Sequence, residues 1–475
     1  MQPSMFNVRV PLTDQRDGGN VFLMNTFSDA QLIVSRDVVD LLDRLDGDAA
    51  DTGTFDAEER DTLEQLAGEG FIVRDRETER AELRTFFREF RESTGTLSVT
   101  VLTTLQCNFA CDYCIQGDHG DYNKHAAKMS PETAARVAGW VGRRLDAIAP
   151  SRLVLTFFGG EPLLNMPVLY YIAERLHAAC DSRGVRLVIN IITNGLLLTR
   201  EMVERLNPLG LNGVKITLDG NREAHDRSRP LRGGQGTFDR IIANTRAVAD
   251  LTKIAVGGNF EMDTADSYPA LLDFLAAQDF APRLSKVSFK PVIREKAAQV
   301  RRTIPLTVVG GEGKPLNGAC MTSAGTGVSR VCDTCNFVDE KMAFLREETK
   351  KRGFTTVDGV HMGPCEIHKS HAHTIGPDGS LFACPGFAGE ALQSTGHIDD
   401  RQDDYRTTAL RNFERLAAWE QCHDCAFIPV CAGGCTVAAH NELGDMHVPN
   451  CHKASFEAGV VSLAREAAAR EYVNA

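Results

Sequence analysis

Apolar residues alternate between two rhythms along the middle of the chain. Strand-length runs occur at 97–102, 153–158, 187–192, 213–218, 254–257 and 286–289. Between them lie stretches with apolar residues at helical spacing, at 132–145, 167–179, 200–206, 238–249 and 268–277. Ser130-Pro131-Glu132-Thr133 is a helix start, with an N-cap serine and proline at the first helical position. Strands alternating with helices predict a parallel sheet. Six such units predict an α/β fold whose sheet curves into a partial (β/α)6 barrel, with its chemistry at the C-terminal strand ends.

The flanks read differently. Residues 8–10 and 20–25 predict short strands, and 33–45 predicts an amphipathic helix carrying Val34, Val38, Leu41, Leu42 and Leu45. A second helix starts at Asp56-Ala57-Glu58-Glu59 and runs through Leu63 and Leu66 to Gly68, and 70–73 predicts a closing strand. Two helices with strands and a small wing resemble a winged helix-turn-helix. The plainer alternative is an α+β cap that shields the barrel. Residues 77–92 predict a charged helical connector. The expected organisation is a winged-helix-like unit at 1–90, a barrel at 91–300, a linker or insertion at 301–364 with a helix at 340–352, and a cysteine-rich region at 365–475 ending in a helix at 456–472.

Composition narrows the function. Of 475 residues, 43% are hydrophobic and 24% charged, which suits a globular protein and excludes general disorder. Lys and Arg number 52 against 64 Asp and Glu, a formal charge of −12 that disfavours a nucleic-acid partner. Asp40, Asp43, Asp46, Asp48 and Asp51 make the winged unit itself acidic. No apolar run approaches the ~18 residues of a membrane span. Met1-Gln2-Pro3-Ser4-Met5-Phe6 lacks the features of a secretory signal, so the expected address is cytoplasmic.

The 14 cysteines change the picture most. Cys107, Cys111 and Cys114 follow the first barrel strand at spacings x3 and x2. Structural zinc wants four ligands, and His119 and His125 do not have the usual spacing. Three thiolates suit a [4Fe–4S] cluster with one open iron, which can chelate a small molecule. Phe157-Phe158-Gly159-Gly160-Glu161-Pro162 follows the second strand, Ile192-Thr193-Asn194-Gly195 the third, and Thr217-Leu218-Asp219-Gly220 the fourth; His225-Asp226-Arg227-Ser228-Arg229 comes next. This ordered set resembles the radical S-adenosylmethionine (SAM) enzymes. The resemblance implies that Tyr113, Gly160, Glu161, Asn194, Thr217 and Arg229 contact SAM. It also implies reductive cleavage of SAM to a 5′-deoxyadenosyl radical, which abstracts hydrogen from the substrate. Taken singly, Gly159-Gly160 reads as a β/α turn and Arg229 as a surface charge.

The second group is Cys365, Cys384, Cys422, Cys425, Cys431, Cys435 and Cys451. It resembles the SPASM domain of radical SAM maturases at every spacing; the alternative for its x2 pair is a zinc ribbon. By that resemblance Cys422, Cys425, Cys431 and Cys451 hold one auxiliary [4Fe–4S] cluster, and Cys365, Cys384 and Cys435 hold another. Three clusters in all are implied. An eighth auxiliary ligand has candidates in Cys335, Cys332 and Cys320; otherwise that cluster keeps an open iron. Cys332 and Cys335 can also form an independent pair. Cys180 reads as a plain buried thiol.

SPASM relatives mostly modify peptides. The winged unit resembles the leader-binding elements of ribosomal-peptide biosynthesis, which add an extended leader to a sheet edge; 6–10 and 20–25 are the candidate edges. The implied function is maturation of a ribosomally made precursor peptide, by crosslinking or another oxidative change, with a reductase or flavodoxin-type electron donor. The enzyme alternative is a sulfatase-type or other protein maturase. Its general-base aspartate follows the equivalent of Cys384, where this chain has Pro385, which cannot accept a proton. The non-enzyme alternatives are a metal-binding scaffold and a peptide-binding module with a vestigial radical site. No catalytic acid or base is identified: His361, His368, His371, His373 and Tyr405 lie in the right region but read first as surface or packing residues.

Overall fold

A computed structural model describes residues 1–14, 18–45, 55–114, 126–293, 333–400 and 407–474. Its centre is the six parallel strands β6 (Thr96–Leu102), β7 (Arg152–Phe158), β8 (Arg186–Thr193), β9 (Leu211–Thr217), β10 (Lys253–Phe260) and β11 (Leu284–Pro291), hydrogen-bonded in chain order. Helices Pro131–Ile148, Met166–Asp181, Arg200–Leu206, Phe238–Val248 and Tyr268–Ala276 follow the strands. They cover the sheet's outer face with one continuous apolar core running from Leu97 and Val137 to Tyr268 and Val287. Ser130 caps the first of them by accepting from Thr133 N–H at 3.1 Å, as the sequence signal predicts. Cys180 is buried in this core. Helix Arg222–Ser228 was not predicted, although Asn221 caps it by accepting from Ala224 N–H at 3.0 Å.

The sheet does not stop at β6. It continues into the cysteine-rich region through β12 (Ala372–Ile375), parallel to β6, and then the antiparallel strands β13 (Ser380–Phe382) and β14 (Gly396–His397). A second apolar cluster joins Leu102, Phe158 and Ile293 of the barrel to Phe382, Phe387 and Cys384. The cysteine-rich region therefore closes one side of the open barrel. Helix Asp333–Lys351 packs against β11 and the terminal helix Lys453–Asn474, and Val287 N–H donates to Thr355 O at 2.8 Å.

At the N-terminus, β2 (Asn7–Pro11), β3 (Val21–Asn25) and β4 (Gln31–Val34) form an antiparallel sheet in that order; β1 (Gln2–Pro3) pairs with β5 (Ile72–Val73). Two expectations need correction. The first helix spans Arg36–Leu45, because Ile33 and Val34 extend as β4 against β3. Residues 20–25 are not an edge, because β3 is paired on both sides; the outer strands are β2 and β4. Helix Ala57–Gly68 opens with a capping box between Asp56 and Glu59.

The connector helix Arg76–Glu92 is charged on one side only. Its Leu83 and Phe87 join Met5, Phe6, Trp419 and Ile428 in one cluster, with Phe87 stacked on Trp419 at 4.6 Å. Glu79, 1% exposed, accepts from Met5 N–H and pairs with Arg76 at 2.9 Å. These contacts bind the N-terminal unit to the cysteine-rich region rather than leaving it tethered. No helix among the described residues is long and apolar enough to cross a membrane.

Candidate active site

The first three cysteines sit on a loop clamped between two neighbours at the C-terminal end of β6. On one side Ala110 N–H donates to Pro230 O at 2.9 Å, and Phe109 bridges Leu231. On the other, Gly160 N–H donates to Thr104 O at 3.0 Å and Glu161 N–H to Gln106 O at 2.8 Å. The two glycines make that approach possible. Gly159 has φ +137°, and a Cβ on it lies 2.2 Å from Thr104 O. A Cβ on Gly160 lies 2.2 Å from Gln106 O and 2.4 Å from Leu105 O. The space a side chain needs is thus filled by the backbone of the cysteine loop, so the protein itself requires both glycines.

Glu161 is fully buried and its carboxylate is spent internally. It accepts from Leu163 N–H at 2.9 Å, Thr193 Oγ1 at 2.8 Å and Asn194 N–H at 2.8 Å. This ties the end of β7 to the end of β8. Asn194 in turn donates to Asn108 Oδ1 at 2.7 Å and reaches toward Cys107 Sγ at 3.9 Å. Glu161 and Asn194 therefore shape the cysteine loop.

Tyr113 and Arg229 meet on Asp219. The Tyr113 hydroxyl donates to Asp219 Oδ2, Arg229 Nη1 donates to Tyr113 Oη, and Arg229 lies 3.5 Å from Asp219. Asn259 N–H donates to Asp219 Oδ1 at 2.7 Å, and its side chain lies 3.3 Å from Tyr113 Oη. Burial pushes the Tyr113 phenol well up, against the pull of Arg229, so it remains a donor. Burial works against the Arg229 charge, but Tyr113, Cys111 and Asp219 raise its pKa and keep it a cation. Its Nε is buried with no hydrogen-bond partner among the described residues.

A second layer fixes this cluster from behind. Asp219 N–H donates to His225 Nδ1 at 3.1 Å, which leaves the proton on Nε2, 3.0 Å from Thr237 Oγ1. Thr237 donates onward to Arg229 O at 2.9 Å. Burial, and then Arg229, pushes the His225 pKa well down, so the ring is neutral. The sequence reading quoted Asp219 and His225 inside motifs without a role, and missed Asn259 and Thr237. Asn221 as a helix cap was the available signal for the segment that presents His225. Thr217, at the end of β9, shares the barrel-facing side of its strand with Lys215.

The seven C-terminal cysteines divide into two sets. Cys384 has Cys365 and Cys435 as electrostatic neighbours. Cys431 has Cys422, Cys451 and Cys425. The split turns on the x3 spacer Ala432-Gly433-Gly434, all three left-handed at φ +53°, +89° and +93°. That turn sends Cys431 to one set and Cys435 to the other. Asn450 N–H donates to Gly433 O at 2.8 Å, and a Cβ on Gly434 lies 1.9 Å from Asn450 O. This contact returns Cys451 to the side of Cys431. Cys320 and Cys332 lie outside the described residues, as do Tyr405 and the side chain of Cys335. His368 and His373 are buried packing residues whose pKa burial pushes down to about 4 and about 3.

The donor sets fit iron–sulfur clusters. Phe109 N–H points at Cys107 Sγ at 3.4 Å and Gly386 N–H at Cys384 Sγ at 3.5 Å. Cys365, Cys425 and Cys431 likewise receive backbone N–H groups. Such donors stabilise cluster-bound sulfur. Burial pushes the Cys107, Cys384 and Cys431 thiols up to about 12, so a bound metal must displace the proton.

Residues 101–263, the span that carries this barrel and its cysteine loop, match the Radical SAM superfamily. The chain is 29% identical over 185 residues to the Fe-coproporphyrin III synthase of Methanosarcina barkeri, a match covering 38% of this chain and 41% of that protein. The chain thus spans less than half the length of the first curated relatives it matches. It is 23% identical over 357 residues to the serine-type anaerobic sulfatase-maturating enzyme of Bacteroides thetaiotaomicron, covering 69% of this chain and 80% of that one. Among solved structures, native anSMEcpe with bound AdoMet and Cp18Cys peptide superposes with a TM-score of 0.59 at 15% identity, covering 80% of this chain and 99% of that one. That likeness speaks to the fold.

Proposed function

We propose that the chain is a maturase of a ribosomally made peptide, carrying one radical SAM cluster and two auxiliary clusters. In this reading Cys107, Cys111 and Cys114 hold the first [4Fe–4S] cluster. Cys365, Cys384 and Cys435 hold one auxiliary cluster, and Cys422, Cys425, Cys431 and Cys451 the other. The bound cluster and SAM supply the radical that removes hydrogen from the substrate. The chain's own residues do the rest. Tyr113, Thr217 and Arg229 would bind SAM, with Arg229 supplying a positive charge for its carboxylate. Gly160, Glu161 and Asn194 set the shape of the loop against which SAM lies.

The observation that carries this reading is the three-and-four division of the C-terminal cysteines. One set borders the barrel interior beside Leu102 and Phe382, and the other lies against the N-terminal winged unit. A mononuclear scaffold has no need of either placement. The peptide is supported by the winged unit, whose outer strand β4 offers backbone groups for an added strand, and by a fold shared with a peptide-bound structure. In this role the enzyme works in the reducing cytoplasm and draws electrons from a reductase or flavodoxin-type donor. A second reading, sulfatase-type maturation, is favoured by the long match to the Bacteroides maturase but lacks a base at Pro385.

Anaerobic reconstitution followed by iron, sulfide and zinc analysis tests the assignment. About twelve irons per chain and no zinc are expected for three cubane clusters. Cys107→Ala is expected to remove about four irons and abolish 5′-deoxyadenosine formation while the auxiliary clusters stay. Persistent SAM cleavage in that variant sinks the assignment of the first group. Formylglycine production from a sulfatase peptide decides for the second reading.

A further inference from the structure

Three lysines turn into the barrel without an acidic partner. Lys215 on β9 and Lys286 on β11 flank Ala255 of β10 in register. Lys290, on the same face of β11, lies opposite Asn259, whose side chain reaches Tyr113. The Lys215 side chain crosses β10 over Gly257, which leaves room for it. A Cβ on Gly257 lies 2.5 Å from Lys215 Cε and 3.3 Å from its Nζ. The chain thus leads the Lys215 ammonium from its own level toward the C-terminal strand ends. There it lies within the fields of Lys290 and Lys286, which add to burial in lowering its pKa to about 8. Lys290 also lies within electrostatic reach of Cys384 of the three-cysteine set.

Several cations among the described residues are paired with carboxylates, whereas Lys290 is exposed and Lys215 and Lys286 are half-buried. Arg229 has Asp219 at 3.5 Å, Arg352 has Asp273 at 2.6 Å and Glu348 at 2.7 Å, and Lys350 has Glu466 at 2.6 Å. Among the described residues Lys215, Lys286 and Lys290 have neither an ion pair nor a hydrogen-bond acceptor. Three like charges gathered on one wall of a barrel repel one another, and an anion between them relieves that repulsion. No arginine fork joins them, so they recognise an anion as point charges, and a peptide substrate supplies such an anion as a side-chain carboxylate.

We propose that Lys215, Lys286 and Lys290 form a carboxylate-binding subsite that holds an acidic side chain of the substrate beside the Tyr113–Asp219–Arg229 cluster. The peptide carboxylate rests on the proposed maturase reading; an anion at this place rests on the lysines alone. It makes the enzyme selective for a peptide with Asp or Glu near the residue that loses hydrogen.

The test is calorimetric titration of the reconstituted full chain, with SAM bound, using N-acetylglutamate methylamide, its glutamine counterpart and free glutarate. The glutamate probe is expected to bind about tenfold tighter than the glutamine one, as for hydrogen bonds to a charged group. That preference is expected to shrink in high salt. It is expected to vanish in the K215Q/K286Q/K290Q variant at unchanged iron content. Should the triple variant fail to fold, Lys286→Gln alone is expected to lose part of it. Lysine-dependent binding of glutarate without the glutamate probe keeps the subsite and overturns the peptide as its source. Equal binding of glutamate and glutamine probes, an unchanged preference in the variants, or no binding of any acidic probe overturns the subsite.

Discussion

Gly160 shows how little freedom single positions have around the cysteine loop. A methyl group there meets the carbonyls of Leu105 and Gln106 at 2.4 and 2.2 Å, and neither can retreat without moving Cys107. Gly160→Ala is therefore expected to displace the loop. The outcome to measure is loss of about four of about twelve irons, with SAM cleavage lost and the auxiliary clusters kept. A variant with full iron and normal cleavage shows that the loop is more yielding than its contacts imply. The three cysteines, Gly160, Tyr113 and Arg229 were legible because fixed spacings and strand ends mark them. Asn259 and Thr237 were not. They lie 40 and 18 residues from Asp219 in sequence: Asn259 is brought to the cluster by the parallel pairing of β9 and β10, and Thr237 by the start of helix Phe238–Val248.

Elements were legible where periodicity ran long enough. All six barrel strands and their five long helices emerged within a few residues of their expected bounds. The 33–45 segment failed because Ile33 and Val34 continue the helical spacing of Val38 and Leu41 by coincidence, while pairing with β3 decides their state. The β6–β12 pairing was invisible because it joins residues about 270 apart with no local signal. One element-scale contact titrates. His361 bridges Asp358 at 2.6 Å and Asp29 at 2.9 Å, pinning the β3–β4 turn to the segment before Cys365. Burial opposes the charge, yet the two aspartates win and raise the His361 pKa. A raised folded-state pKa gives stability that is full below the unfolded value of about 6.5 and lost as pH rises through the folded one. Amide exchange in the β3–β4 turn is thus expected to quicken relative to the barrel core from about pH 6.5 upward. His361→Asn is expected to be fast throughout. A turn whose exchange shows no such relative change across that range removes this clamp from the account.

At the scale of the molecule, the two C-terminal cysteine sets are not equivalent. Cys422 and Cys425 pack with Met5, Phe6, Phe87 and Trp419, and Cys425 and Cys431 with Phe22, Met24 and Phe456. Thr26 Oγ1 donates to Ala426 O, and Arg80 pairs with Asp424 at 3.1 Å. The four-cysteine set is thus part of the seat on which the N-terminal unit rests. The three-cysteine set instead borders β6 and the barrel interior. Removing one ligand from each separates these roles. Cys425→Ala and Cys435→Ala are each expected to lower iron by about four per chain. Only Cys425→Ala is expected to quicken amide exchange in β2, β3 and β4, because it unsettles the cluster beneath them. The Cys435→Ala variant is expected to leave those strands protected and to expose β12 and β13 instead. If both variants loosen the same elements, the sets act as one unit and the N-terminal sheet is coupled to the barrel interior. Peptide capture and radical chemistry then cannot be tuned apart. If they separate as expected, the two cysteine sets support different parts of the fold, joined through the short turn at Ala432-Gly433-Gly434.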